Sequence, residues 1–481
     1  MTSRFSGALQ ITSLDDFITP SQECIKPIEV LKSTSKTGSK IKIQDDGAYV
    51  ELNETGSEKL QKVEITLADC LACSGCITSA ESVLVTQQSQ EELLRVFQEN
   101  QSLKFQNKSP KLIAVSLSVQ PVLSLSQKYN LDPGDTTRRL SGYFKSLGAD
   151  LVLEMSAAED FALLESAKEF MERFKSHQEG SKGQLPMLAS SCPGWVCYAE
   201  KTHGNFILPL IGVTKSPQQI MGSLVKNYLA ERRSLSPERI YHITLMPCYD
   251  KKLEASRDDF YNKLKETRDV DCVITSIELE QMLENQGKTL CDVDPASLDT
   301  PFTTDDQLHV DLWSHSGSGS GGYADFIFEY AAKHLFQVSD ARLELRPLRN
   351  PDFQEGVLER DGEILLRFGV ANGFRNIQNV VQKLKRDKCT YHYIEVMACP
   401  AGCLNGGAQI RPQDGSQPRE LAQTLEKLYH ELPESKPEEN KIVRNLYKSW
   451  LGSGHSDKAS AFLHTQYHEI EKMNSALSMK W

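Results

Sequence analysis

Three apolar segments of this chain each lead directly into a cysteine. Cys192 follows PMLASS, Cys248 follows IYHITLMP and Cys399 follows YIEVMA. Cys403 comes four residues after the last of these, through a Pro-Ala-Gly turn. Short apolar runs bounded by turn residues are typical of buried strands, and ligands of α/β proteins gather at the carboxyl ends of parallel strands. We therefore expect these four thiols to converge at one sheet edge.

The segments around these cysteines alternate between strand and helix patterns. KLIAVSLSV (111–119) and ADLVLEM (149–155) flank a helical stretch at 135–148, for which Asp135 is the predicted N-cap and Gly148 the predicted residue after the last turn. VDCVITS (270–276) is a further predicted strand, and 160–174 a further predicted helix. Strand–helix–strand order is typical of parallel pairing, so the chain is predicted to have an α/β fold.

The 481 residues are enough for several domains. We predict an N-terminal domain at 1–108, a core at 109–411 and a helical segment at 412–481. The net charge of -11 argues against a general binder of nucleic acid or anionic membranes, and no apolar run is long enough to predict a membrane span. Without an apolar leader, the twelve cysteines are expected in a reducing compartment, where clustered thiols favour metals over disulfides.

A second group of cysteines lies near the N-terminus. Cys70, Cys73 and Cys76 have the spacing C-x2-C-x2-C, which is a strong indication of a metal site. Ferredoxin-type runs add a fourth cysteine shortly afterwards, but Ile-Thr-Ser-Ala follows here. By elimination Cys24, the only other cysteine in the first hundred residues, is the predicted fourth ligand, because loop closure costs little extra as the loop lengthens. The alternative is a lone Cys24 and a site with a non-cysteine or open fourth position.

Four thiolates suit either an iron–sulfur cluster or zinc. Structural zinc sites favour paired C-x2-C elements at two places and often include histidine. Here three thiols lie within seven residues, and no histidine lies near either cysteine group in the sequence. The pattern therefore favours iron–sulfur clusters, with zinc as the alternative.

The run HSGSGSGG (315–322) precedes a helical pattern. It lacks the Gly-Lys-Ser/Thr ending of a phosphate-binding loop, so nucleotide binding is not expected. The favoured interpretation is a turn before a helix, although the same glycines would allow close approach to a cofactor. Of the remaining cysteines, Cys197 and Cys272 are predicted to be buried apolar residues, and Cys291 and Cys389 to have no special role.

Three motifs carry a resemblance to a known family. SSCPGW (190–195), MPCYDKKLE (246–254) and EVMACPAGCLNGGAQI (395–410) resemble, in order, the cluster-binding motifs of [FeFe] hydrogenases. With CLACSGC and the opening SRFSGALQITSLDDFITPSQECIKP, the chain more closely resembles the eukaryotic cytosolic iron–sulfur protein assembly factors related to these hydrogenases, the nuclear prelamin A recognition factor-like family. This implies an α/β, two-lobed hydrogenase-like core with parallel sheets, a small N-terminal cluster-binding domain and a helical tail.

The resemblance also implies cofactors and partners. One [4Fe–4S] cluster would be held by Cys24, Cys70, Cys73 and Cys76, and a second, between the lobes, by Cys192, Cys248, Cys399 and Cys403. The protein would act in the cytoplasm and the nucleus, and it would bind neither nucleic acid nor a membrane. It would link the early scaffold NTPases to a late targeting complex of a WD40 propeller protein, its small partner and a HEAT-repeat adaptor. The final Trp481 would be a docking signal for that complex, or simply a frayed end.

Departures from the hydrogenase motifs bear on activity. Ser191 stands where hydrogenases carry a proton-relaying cysteine, and Ala408 and Ile410 change the third motif. Lys251 stands where hydrogenases have a lysine that contacts a cyanide of the diiron subsite, and Glu254 is also retained. The alternative is that the two residues simply form an ion pair at the start of a helix. The resemblance therefore implies a chain without the diiron subsite and without hydrogenase activity. The alternative is a redox enzyme, either a hydrogenase or an electron-transfer protein.

Overall fold

The computed structural model describes residues 40–43, 49–53, 56–59 and 85–469, apart from 182, 184, 304–310, 349, 413–416 and 453–455. The chain divides into two compact units, Met1–Val83 and Leu84–Trp481. The first unit contains an antiparallel sheet of three strands, β1 (Lys40–Ile43), β2 (Tyr49–Asn53) and β3 (Gly56–Lys59). Five residues named above lie outside the described residues, and their roles stay predictions: Cys24, Cys70, Cys73, Cys76 and Trp481.

The second unit holds the predicted α/β core. Its strands are β4 (Leu112–Leu117), β5 (Leu151–Glu154), β6 (Met187–Leu188), β7 (Ile240–Met246), β8 (Tyr261–Asn262), β9 (Thr267–Arg268), β10 (Cys272–Thr275), β11 (Arg346–Pro347), β12 (Phe353–Arg360), β13 (Glu363–Asn372) and β14 (Tyr393–Met397). Its helices are α1 (Gln90–Phe105), α2 (Val119–Tyr129), α3 (Pro133–Leu147), α4 (Ser156–Gln178), α5 (Pro193–Thr202), α6 (Pro217–Ser223), α7 (Asp250–Ala255), α8 (Ser276–Asn285), α9 (Tyr323–Phe336), α10 (Phe374–Lys385), α11 (Pro418–Glu431), α12 (Lys441–Leu446) and α13 (Asp457–Leu463).

Two sheets organise this unit. One is entirely parallel, in the order β10-β7-β4-β5. The other has the order β11-β12-β13-β14-β6, with β13, β14 and β6 parallel and the β12 and β11 side antiparallel. The prediction of one shared sheet edge was therefore wrong. The strands before Cys192 and Cys399 belong to the mixed sheet, and the strand before Cys248 belongs to the parallel sheet. The prediction failed because an apolar run identifies a strand but does not show which strands it pairs with.

Local signals at α3 show a smaller correction. The helix begins at Pro133, and Asp132 rather than Asp135 is its N-cap, because the Asp132 carboxylate accepts the Asp135 N–H at 3.1 Å. Proline suits the first helical position because it lacks the N–H that would be unpaired there. Gly148 ends the helix with a φ of 112°, as predicted, since that left-handed conformation suits glycine.

The antiparallel strands β12 and β13 were not predicted. They are joined by Asp361 and Gly362, whose φ values are 56° and 82°, so both residues of the two-residue turn are left-handed. Asp-Gly between strand patterns is a strong hairpin signal, and it could have identified this element.

The C-terminal segment is helical, as predicted, and packs on the core. Leu425 of α11 is fully buried in an apolar cluster that also contains residues of α2, with Leu421 and Leu428 packed against the same cluster. Leu446 and Trp450 are also buried. Among the described residues, no helix combines the length and the apolar character needed to cross a bilayer.

Candidate metal centre

The structure places the four cysteines of the core at the ends of strands or in the turns that follow. Cys192 is the residue before α5, Cys248 comes two residues after β7, and Cys399 comes two residues after β14. Cys403 starts a short 3-10 turn, Cys403–Asn405. All four residues are partly buried.

Direct contacts join the first motif to the other two. The backbone N–H of Ala398, next to Cys399, donates to the Cys192 sulfur at 3.3 Å. A Cβ added to Gly194 would lie 2.9 Å from Asp250 Oδ2 and 3.1 Å from Ala398 Cβ. Glycine at this position therefore allows the start of α5 to touch the loops that carry Cys248 and Cys399.

The third motif folds back onto the second. Ala408 N–H donates to the Pro247 carbonyl at 3.1 Å. A Cβ on Gly406 would lie 2.5 Å from the same oxygen, so only glycine permits this approach. The loops carrying Cys248 and Cys403 are thus held against each other, and loops from both sheets meet at one place.

The electrostatics of the thiols agree with this convergence. Loss of solvent contact raises the pKa of Cys192, Cys248 and Cys399, and it raises that of Cys403 to about 12. Neighbouring sulfurs raise these pKa values further, since Cys399 and Cys192 act on Cys248, and Cys192 and Cys403 act on Cys399. Thiols in such a place ionise only when a cation compensates the charge, as a bound metal does.

The donor set of the core consists of four thiols, which suit either an iron–sulfur cluster or zinc. Within the described part of the chain, no three His, Cys, Asp or Glu side chains are grouped closely enough to hold one metal ion. A zinc ion draws its four sulfurs to about 2.3 Å from one centre. In a [4Fe–4S] cluster each cysteine binds a different iron atom, so the four sulfurs stand farther apart. The contacts between the loops bring four thiols toward one region, and thiols are ligands for both kinds of site.

Lys251 and Glu254 form the ion pair that the sequence left as an alternative. Lys251 Nζ lies 2.9 Å from Glu254 Oε2 and donates to the Ser191 carbonyl at 3.1 Å. Both side chains are buried, with Lys251 in the first turn of α7 and Glu254 near its end. The pair therefore connects the second motif to the residue next to Cys192.

A small cavity lies beside Cys403. Its volume is about 60 Å³. Its lining includes Ser191, Lys251, Glu159, Tyr323, Met246 and Cys403.

The other cysteines of the core lie apart from this centre. Cys272 is buried in β10, as predicted. Cys197 is only partly buried, although desolvation raises the pKa of its thiol to about 12. Cys291 is exposed and Cys389 partly buried.

Two further residues at the centre were missed from the sequence. The Met397 sulfur lies 3.8 Å from that of Cys403. Ser320, in the glycine-rich run, accepts the Cys403 N–H at 3.0 Å. No sequence signal could have identified Met397. The glycines around Ser320 did indicate that this loop could lie close to a cofactor.

Comparisons with known proteins agree with this geometry. Residues 111–407 match the family described as iron only hydrogenase large subunit, C-terminal domain, and residues 419–470 match iron hydrogenase small subunit. An apo [FeFe]-hydrogenase HydA1 variant from Chlamydomonas reinhardtii is similar with a TM-score of 0.65 and 28% identity, covering 75% of this chain and 95% of that one. Another variant of the same hydrogenase has a TM-score of 0.67 and 28% identity, covering 78% and 98%.

Similarity to two insect proteins extends over the whole chain. A probable cytosolic Fe-S cluster assembly factor of Aedes aegypti is 59% identical over 483 residues, covering 100% of both chains. A protein of Culex quinquefasciatus with the same description is also 59% identical over the full length of both. The chain therefore belongs to the iron-only hydrogenase-like family, in the branch whose members are named probable cytosolic Fe-S cluster assembly factors.

Proposed function

We propose that this chain is a component of the cytosolic iron–sulfur protein assembly machinery and binds two [4Fe–4S] clusters. The inner cluster is assigned to Cys192, Cys248, Cys399 and Cys403, and the outer one to Cys24, Cys70, Cys73 and Cys76. The observation that carries the proposal is the meeting of the four core thiols, with the Ala398 N–H 3.3 Å from the Cys192 sulfur. Full-length similarity to cytosolic assembly factors supports the cellular role and the cytoplasmic location, to which we add the nucleus.

We propose that the chain is not a hydrogenase. Ser191 offers a hydroxyl, too weakly acidic to relay protons as a thiol does. Ala408 and Ile410 alter the third motif from the hydrogenase pattern. These features support a metal centre without the diiron subsite.

Metal content and hydrogen evolution test the two assignments together. The anaerobically reconstituted full-length protein is expected to hold about eight irons with equal acid-labile sulfide, and to evolve no hydrogen from reduced viologen. Cys399→Ser should reduce the iron to about four, while Cys291→Ser, at an exposed thiol, should leave it unchanged. Stoichiometric zinc without iron, or full iron in the Cys399→Ser variant, contradicts the cluster assignment. About ten irons with carbonyl and cyanide infrared bands would favour a hydrogenase.

We also propose that the protein links the early scaffold NTPases to the late targeting complex, in which we include the WD40 propeller protein, its small partner and the HEAT-repeat adaptor. The full-length similarity to assembly factors supports this role. Replacing Cys70 and Cys73 by alanine should leave the core folded but reduce the maturation of cytosolic iron–sulfur clients in depleted cells. Normal client maturation with this variant would show that the outer cluster is not used.

A further inference from the structure

The glycine-rich loop, residues 316–322, packs directly against the turn that carries Cys403. A Cβ on Gly402, whose φ is 77°, would lie 2.3 Å from Ser320 Oγ. A Cβ on Gly319 would lie 2.5 Å from Leu404 Cδ1. One glycine on each side thus permits contact, so the loop is part of the wall of the metal centre and not a free turn.

Ser320 makes the polar contact between the two segments. Its Oγ accepts the Cys403 N–H at 3.0 Å. A hydroxyl that accepts one hydrogen bond still has its own hydrogen to donate.

The loop is fixed by groups outside it. The Gly319 N–H donates to Glu426 Oε1 at 2.7 Å, and its carbonyl accepts from Gln120 Nε2 at 3.0 Å. At the start of α9, the Ala324 N–H donates to Glu395 Oε2 at 2.8 Å. Ser320 is therefore held next to Cys403 by contacts to α2, α11 and β14.

We propose that Ser320 is a positioning residue of the inner cluster, with its hydroxyl orienting Cys403 and donating a hydrogen bond to the coordinated sulfur. The inference rests on the proposed function, since it requires the cluster on Cys403. Hydrogen bonds to a ligating sulfur stabilise the more negative reduced state, so they raise the reduction potential. The same bond holds the ligand in place and slows the loss of iron.

The test uses the full-length chain with Cys73→Ala, so that the inner cluster dominates the signal. Ser320→Ala is compared with Ser320→Thr, which keeps the hydroxyl, and with Ser316→Ala, which removes another hydroxyl of the same loop. The readouts are the midpoint potential, followed by electron paramagnetic resonance, and the rate of iron release to a chelator. Ser320→Gly provides a second variant without a hydroxyl, in a loop already rich in glycine.

Loss of the hydroxyl should lower the potential and speed iron release about threefold to tenfold, as expected for one hydrogen bond. Ser320→Thr and Ser316→Ala should behave as the parent protein does. An unchanged potential and release rate in both hydroxyl-free variants, or an equal shift in Ser320→Thr, would overturn the inference while leaving the proposed cluster intact. A parent protein without iron on the four core cysteines would overturn both proposals.

Discussion

At the scale of single residues, the buried pair Lys251–Glu254 supports the metal centre. Glu254 Oε1 also accepts from Ser216 Oγ at 2.5 Å and from the Gln218 amide at 3.2 Å. Burial lowers the pKa of Lys251, but the Glu254 carboxylate outweighs this and raises it overall. The Lys251 ammonium therefore stays charged, and its pairing with Glu254 compensates part of the cost of burying the two side chains.

Removing one partner of this pair should be costly. Lys251→Met leaves the Glu254 carboxylate without its cation, and we expect a loss of about 3–5 kcal/mol in the free energy of unfolding. The matched control is Lys333→Met, which breaks the half-exposed pair with Glu438 and should cost less than about 1 kcal/mol. Anaerobic denaturant titrations would measure both, and similar losses in the two variants would count against a structural role for the buried pair.

At the scale of elements, β7 carries a buried histidine between two neighbours. The His242 ring lies 2.9 Å from Ser116 Oγ of β4 through Nε2, and 3.0 Å from the Asp269 carbonyl through Nδ1. Burial lowers the pKa of His242 to about 3. The ring is therefore neutral in the folded protein well below the pH at which an unfolded chain takes up a proton.

This shift predicts a pH dependence of stability. Between pH 6.5 and about 3 the unfolded chain binds one more proton at His242 than the folded chain, so stability falls as the pH falls through that window. From pH 7.5 to 5.5 the histidine should contribute a loss of about 1.4 kcal/mol. His242→Gln should remove this part of the dependence, whereas His430→Gln, at a mostly exposed ring, should retain it. Equal pH slopes in both variants would contradict the assignment.

At the scale of the whole described core, two sheets contribute to one centre. The parallel sheet provides the loop with Cys248, and the mixed sheet provides those with Cys192 and Cys399. The loops touch through Gly194, Pro247 and Ala398. Because a bound cluster would fasten loops from both sheets, its free energy of binding would also stabilise their packing.

Removal of iron should therefore loosen both sheet ends together. Chelation under reducing conditions is expected to increase hydrogen exchange in 193–197, 247–251 and 399–407 to a similar degree, because all three segments lose the same anchor. The turn of the β12–β13 hairpin at Asp361 and Gly362 is the internal control and should be unaffected. Faster exchange confined to one segment would show that the thiols do not share a centre.

Much of the core could be predicted because its signals are local. Apolar runs located β4, β5, β7, β10 and β14, and the glycine after α3 marked the end of that helix. Cysteine positions after these strands indicated which thiols belong together. Two local signals were misinterpreted. Asp135 was predicted as the N-cap of α3, although Pro133 marks the first helical residue and therefore Asp132 as the cap. The Asp-Gly turn of the β12–β13 hairpin was overlooked.

The sequence by itself determined the α/β class, and it predicts the grouping of the core thiols and their chemistry with iron, because hydrophobic period and ligand type depend on nearby residues alone. Tertiary structure decided that the strands divide between two sheets, that Lys251 is paired with Glu254, and that Ser320 lies against Cys403. These outcomes depend on strand pairing and on close approach at glycines between distant segments, which are set by the packing of the whole core and not by any single stretch of residues.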